Sequence, residues 1–444
     1  MSSFFRFIKS GKGKRRWLWS GMALLVILSL TIAGCAVDDE VADDELPPPD
    51  EDVILIGGIG PLSMPGAVQA GLEMQWAIET AAQDVNEAGG VLGKQIEIVF
   101  ADTQNQPDVA ASMAEKLVTE DQVVAVVGEY HSGSALAMIP IFNEAAIPVI
   151  FAETWADAIT GGDPDNPNLP PNPPTIFRIA PTSSYVGSLL TDWLIEGINV
   201  NKVVEIYEAT DFGLSQHNAN KEELEAAGIE IASVQVELMQ EDYSAIVGRL
   251  AEEHRDADAL LITVTGESSY IVAQNVFEVG LTDIVQVDQV AEDYEAFWRA
   301  VPDGAGACFI SIGLPPAEYN EMTRSVAERF NEEFGGSPKS WVLEAYDSLR
   351  LIADAIERAG TTESEAVVAA LENTSFVGAQ GQYEFPYNST NPVPEGEPSW
   401  LWHQWPNPPA QIMQYTEKGQ SLAEAAVIWP EARQTEGKAF IQPE

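Results

Sequence analysis

Residues 123–160 read VVAVVGEYHSGSALAMIPIFNEAAIPVIFAETWADAIT, and this stretch decides the fold. Val123–Val127 is an unbroken apolar run, as suits a strand covered on both faces. Gly128 ends the run, Glu129–Gly133 makes a polar loop, and Ser134–Ala146 has a helical pattern. Pro148 opens a second apolar run, Val149–Phe151, which closes on Ala152-Glu153-Thr154-Trp155. The order is strand, helix, strand, and its crossover brings both strand ends to the same edge of a parallel sheet. Ligands of open α/β sheets bind at that edge, so the loops GEYHSGS and AETW are expected to face one cleft. The first loop also sits at a helix N-terminus, where free N–H groups suit an anion such as a carboxylate.

Outward from this unit, strands and helices alternate. Before it come strand Val53–Ile59, helix Gly71–Ala88, strand Gln95–Ala101 and helix Asp108–Glu120. Gly161–Pro174 is rich in Pro, Asn and Asp and is expected to form an exposed loop. A second alternating series begins at Thr175–Ala180 and runs through strands at Lys202–Glu208, Ile229–Glu237, Ala259–Val264, Ile284–Asp288 and Ala307–Ile312. Two long helices are expected near Glu318–Phe334 and Trp341–Ala359, then a short one at Ser364–Leu371. Trp400, Trp402 and Trp405 in SWLWHQW alternate in part, and are expected to form an aromatic strand on a second lobe, with a sugar-stacking platform as the other reading. Alternation over this length exceeds one comfortable core, so two α/β lobes with parallel-sheet cores are expected.

The chain opens with Arg6, Lys9, Lys12, Lys14, Arg15 and Arg16 ahead of an apolar core, Met22–Ile32, the pattern of a secretory leader. Ile32-Ala33-Gly34-Cys35 resembles a lipobox, which implies a leader over 1–35, acylation at Cys35 and attachment to a membrane by lipid. Residues 36–52 are acidic, contain Pro47-Pro48-Pro49 and have little to bury, the composition of a tether. Removing 1–35 takes away six of the 22 basic residues and no acid, moving the formal charge from −47 to −53. That balance argues against nucleic acid and against anionic lipid surfaces as partners. It fits either an ordinary acidic protein or one adapted to high salt, where carboxylate repulsion is screened. With Cys35 acylated, Cys308 has no partner for an intramolecular disulfide and reads as a small core residue.

The stretch, with the upstream turn Asn86-Glu87-Ala88-Gly89-Gly90-Val91-Leu92-Gly93, resembles the type I periplasmic binding proteins, the leucine, isoleucine and valine receptors of ABC importers, whose first βαβ carries N-x-A-G-G-x-x-G. The resemblance implies two Rossmann-like lobes joined by three crossovers. Placed near Pro181, Gly313 and Phe376, these assign 53–180 and 313–375 to lobe 1, and 181–312 and 376–444 to lobe 2. It further implies a monomer that binds a small polar solute, an amino acid or amide-like, and delivers it to permease subunits without a cofactor. Ser132 stands where the family holds the ligand carboxylate, Gly133 allows close backbone approach, and Ser134 is a helix cap. Glu153, Thr154 and Trp155 occupy the second contact loop, with Thr154 a hydrogen-bonding residue and Trp155 either a pocket wall or a cap under the insertion. In the second lobe Phe212 matches the aromatic that covers the ligand, and Thr265 and Glu267 follow another strand end. Asp288, with Gln289 as competitor, falls where the family pairs an α-ammonium. Val68 departs from the family, standing near the place of an aromatic that lines the pocket.

Glu129, Glu153, Glu267 and Asp288 either make the cleft strongly negative, which admits a cationic or polyamine-like solute, or are solvated loop acids. Catalysis has little support. His131, His217, His254 and His403 fall in unrelated contexts, and no H-E-x-x-H, G-x-S-x-G or Walker sequence occurs. A sensor built on the same module and signalling through a membrane partner is the remaining class.

Overall fold

Parallel strands and the helices between them build two sheets in the computed structural model. The structure describes residues 52–281, 284–288, 294–406, 408–438 and 440–442. The leader, Cys35, the tether up to residue 51 and Gln289 lie outside these residues. In the first half, β1 (Val53–Gly60), α1 (Val68–Glu87), β2 (Gln95–Asp102), α2 (Pro107–Thr119), β3 (Ala125–Gly128), α3 (Ser132–Glu144), β4 (Val149–Phe151), α4 (Ala158–Gly161) and β5 (Ile176–Arg178) follow one another. They form a parallel five-stranded sheet in the order β2-β1-β3-β4-β5. Side chains alternate across it: Ala125 and Val127 enter one buried cluster and Val126 the other. An apolar run without polar alternation therefore makes a strand here, because helices cover both faces.

The second sheet is built by β6 (Lys202–Glu208), β7 (Glu230–Val236), β8 (Ala259–Thr263), β9 (Val285–Asp288) and β10 (Cys308–Ile312), and by β13 (Ala410–Gln414) and β14 (Ala426–Trp429). Its order is β14-β13-β10-β9-β8-β6-β7, with β13 antiparallel to both of its neighbours, β10 and β14. Helix α5 (Ser183–Asp192) precedes its first strand, and α6 (Asp211–Ala226), α7 (Ser244–Glu253), α8 (Gly266–Glu278) and α9 (Tyr294–Ala300) lie between its strands in the chain. Cys308 is fully buried in this sheet, and burial pushes its thiol up.

After β10 the chain runs into α10 (Glu321–Glu333), α11 (Ser340–Ala359) and α12 (Ser364–Glu372), whose buried residues join the first core. The hairpin β11 (Phe376–Gly378) and β12 (Gly381–Tyr383) does not open the second lobe, as a crossover at Phe376 would require. Tyr383, Phe385 and Trp405 all enter the first core, and Tyr383 donates to Asp347 of α11 at 2.8 Å. The chain therefore leaves the first core only after Trp405.

SWLWHQW differs from its sequence reading in the same way. Ser399–Leu401 is a 3-10 turn rather than a strand, and the segment packs on the first lobe. Trp402 Nε1 donates to the Pro173 carbonyl at 3.0 Å, His403 stacks on Phe177 at 4.0 Å, and Trp405 Nε1 donates to the Gln382 carbonyl at 3.0 Å. Pro398 and Pro406 bracket the segment and lack the N–H a ladder needs. The 161–174 insertion is mostly exposed, but Leu169 is buried and anchors it in the core beside β4.

Candidate functional site

The two loops singled out in the sequence meet at the C-terminal edge of the first sheet. Gly128 closes β3 with φ +113°, and an added Cβ would run into the Ile59 carbonyl oxygen. Only glycine fits both requirements. The chain then turns through Glu129, itself left-handed at φ +69°. The loops are fastened to each other by backbone bonds: Ala152 N–H to the Gly128 carbonyl at 2.8 Å and Glu153 N–H to the Glu129 carbonyl at 3.1 Å. Ser132 Oγ accepts from Trp155 N–H at 3.1 Å and Ala156 N–H at 3.2 Å. Beneath them the buried Arg178 guanidinium donates to the Ala156 carbonyl, Thr160 Oγ1 and Gln404 Oε1, which fixes the second loop from below. Burial pushes that guanidinium down to about 10.

Facing these loops, the second lobe contributes Phe212 from the first turn of α6, Thr265 from the loop before α8, and Ile310 of β10. Glu208, buried at the end of β6, holds Thr265 by its N–H at 2.6 Å and its hydroxyl at 2.7 Å. Ser340 and Trp341 open α11 and complete the wall beside Tyr130. The enclosed space is a cavity of about 40 Å³ between the lobes, room for roughly three waters at 10–15 Å³ each. Trp155 and Phe212 close it with an edge-to-face contact at 5.8 Å, and Tyr130 and Trp341 make another at 5.9 Å. A second recess of about 180 Å³ shares His131 and Thr265 with the cavity and is flanked by Gly66, Gln104, Met239 and Glu267.

The electrostatics are dominated by buried carboxyls. Glu129 is fully buried, and burial pushes its carboxyl up to about 7, against the N–H groups of His131 and Tyr130 that Oε1 accepts at 2.8 and 3.0 Å. Burial also raises Glu153, whose Oε1 accepts from Trp155 Nε1 at 3.1 Å. Glu344 of α11 meets Glu153 carboxyl to carboxyl, a hydrogen bond only when one of them carries a proton. His131 lines the cavity with neither ring nitrogen hydrogen-bonded, and burial pushes it down to about 4, so the imidazole is neutral at pH 7. Among the described residues lining the cavity none is Lys or Arg, and no group of three or more His, Cys, Asp and Glu is placed to hold a metal.

Of the residues expected from sequence, Ser132, Glu153, Trp155, Phe212 and Thr265 line the cavity, Trp155 as a wall. Gly133 sits at the lobe interface, where a Cβ would come within 2.7 Å of Asp211 Oδ2. Ser134 and Thr154 are buried behind the wall with unpartnered hydroxyls. The cap role expected of Ser134 does not arise, since α3 starts two residues earlier at Ser132. Glu267 is an exposed acid in the first turn of α8 and flanks only the second recess. Asp288 is buried at the end of β9, accepts from Ser269 Oγ at 3.2 Å and is not among the cavity-lining residues. Tyr130, His131, Ile310, Ser340 and Trp341 were missed as site residues. Tyr130 and His131 lie inside the quoted loop, whereas Ser340 and Trp341 stand some 200 residues away and carry no local signal beyond a helix start after Pro338.

A sequence model of the family described as periplasmic binding protein matches residues 53–393. An amino acid binding protein of Pseudomonas aeruginosa is 26% identical over 339 residues, 75% of this chain and 86% of its own length. The leucine-binding protein LivK of Thermotoga maritima superposes with a TM-score of 0.69 at 20% identity, over 82% of this chain and 96% of that one. The branched-chain amino acid binding protein LivJ of Streptococcus pneumoniae, solved in complex with isoleucine, superposes with a TM-score of 0.70 at 22% identity, over 88% and 100%. At these identities the structural likeness speaks to the fold, two α/β lobes with parallel-sheet cores, which is the fold expected from the sequence.

Proposed function

Because this chain belongs to the periplasmic binding protein family, we propose that it is the extracytoplasmic receptor of an ABC importer, closing two lobes over one compact polar solute of amino-acid or amide size. The observation that carries this reading is the enclosed cavity, to which Ser132 and Glu153 come from one lobe and Phe212 and Thr265 from the other. A solute bound by both halves favours the closed arrangement by its differential affinity for it. Expulsion of water then strengthens the polar contacts made inside. The work is binding and closure, with no bond made or broken. Release is to permease subunits at the membrane, where acylated Cys35 holds the receptor on its acidic tether.

A thermal-shift screen of amino acids, amides and amines, followed by small-angle scattering, tests the reading. A true ligand at a hundredfold excess over Kd stabilises the chain by about 2.7 kcal/mol. It should also lower the radius of gyration as the lobes close on it. A screen in which no solute shifts the melting temperature would count against a receptor. For the anchor, Cys35→Ser should abolish incorporation of labelled fatty acid.

A further inference from the structure

Resting on the receptor reading, the geometry points to the charge of the solute: we infer that the cavity takes the ammonium group of a compact organic cation that carries no carboxylate.

Four backbone donors of the two cleft loops are already taken. The N–H groups of Tyr130 and His131 go to Glu129 Oε1, and those of Trp155 and Ala156 go to Ser132 Oγ. Three side-chain donors of the wall are engaged as well. Trp155 Nε1 is given to Glu153, Trp341 Nε1 to Glu73 at 2.8 Å, and the Thr265 hydroxyl to Glu208. What remains on the lining is the Glu153 carboxyl, four aromatic rings and the neutral groups of Ser132, Ser340 and His131.

The acceptor side is as well defined. Glu153 is 7% exposed, Trp155 and Ser340 donate to its carboxyl, and the Glu344 carboxyl stands against it. A buried carboxylate without a counter-ion is costly, and a bound cation relieves that cost where a ligand carboxylate would add to it. No Lys or Arg among the described lining residues supplies the missing charge. Tyr130, Trp155, Phe212 and Trp341 surround the same space, and aromatic faces replace the hydration of an alkylated ammonium. Carboxylate, unpartnered neutral His131 and four rings converge on a volume suited to a small cation.

Calorimetry of the purified protein with tetramethylammonium, choline and putrescine, set against isoleucine and benzoate, tests the assignment. At least one of the three cations should bind, and neither carboxylate should. Glu153→Gln should weaken the cation about 10- to 100-fold, the loss of a charge-assisted contact. Its melting temperature at pH 8 should be unchanged or raised, since a buried charge has been removed. Phe212→Leu keeps apolar bulk and loses the ring, and should weaken an alkylated cation severalfold. Unchanged cation affinity in both variants would place the cation elsewhere and overturn the site. Binding of isoleucine or benzoate without any cation would overturn the cation and leave the receptor standing. Silence toward all five would overturn the cation too, and the wider thermal-shift screen then judges the receptor separately.

Discussion

Glu73 and Lys339 form a buried ion pair on which the α11 wall of the cleft depends. The carboxylate is 1% exposed and lies 3.0 Å from Lys339 Nζ, which is itself on a residue 6% exposed. It also accepts from Gln69 Nε2 at 2.9 Å and Trp341 Nε1 at 2.8 Å, so three donors converge on one anion. In Glu73→Gln one oxygen becomes an NH₂ group that faces donors, and Lys339 loses the Glu73 carboxylate. Breaking a buried pair from one side costs about 3–5 kcal/mol. At about 2–4 °C per kcal/mol for lobes of this size, the melting temperature should fall by roughly 6–20 °C. The loss should persist in molar salt, because buried pairs are screened little. Glu73→Leu with Lys339→Met removes both charges and should recover all but the roughly 1–3 kcal/mol of the orphaned Trp341 N–H. Urea denaturation of the wild type, the single variant and the double variant measures all three. A Glu73→Gln cost below about 1 kcal/mol, or a double variant no better than the single, would refute a pair that matters through burial.

Three further outcomes follow from particular residues. Gly128→Ala combines positive-φ strain with a clash against the Ile59 carbonyl, and should cost at least about 1–3 kcal/mol by denaturant titration; a neutral result would show that the loop can move aside. Burial raises Glu129 from 4.5 to about 7, so the folded chain keeps a proton that the unfolded chain has released, and its contribution, complete below pH 4.5, is lost as pH rises to about 7. Glu129→Gln should flatten that window and be more stable at pH 8 by up to about 3 kcal/mol, whereas an unchanged slope would assign the dependence to another buried carboxyl that is pushed up, such as Asp347. The net charge of −47 should make stability rise from dilute buffer to molar KCl as repulsion is screened, and a melting temperature independent of KCl would leave no adaptation to salt to explain.

The sequence by itself determined the elements and the edge at which the site forms. Unbroken apolar runs such as Val123–Val127 belong to strands covered on both faces, and Gly128 marks the backbone turn after one of them. Both are local properties, set by periodicity and allowed φ, ψ. Placing Ser132, Glu153 and Trp155 on one edge needed only the rule that parallel strands end on the same edge, whereas Phe212 and Thr265 were set opposite them by the family resemblance. What the residues do there was decided by tertiary structure. Ser132 was legible as a hydrogen-bonding residue, but that its oxygen is spent on Trp155 and Ala156 depends on how two loops meet. Asp288 ends a strand in the right place, yet its neighbour is Ser269, and the buried acid on the wall is Glu153. Ser340 and Trp341 reach the cavity because Lys339 pairs with Glu73, 266 residues earlier in the chain. Strand and turn signals act over a few residues and so are written in the local sequence. The sign of the site is a sum over donors and acceptors brought together from far apart, and it exists only once the chain has folded.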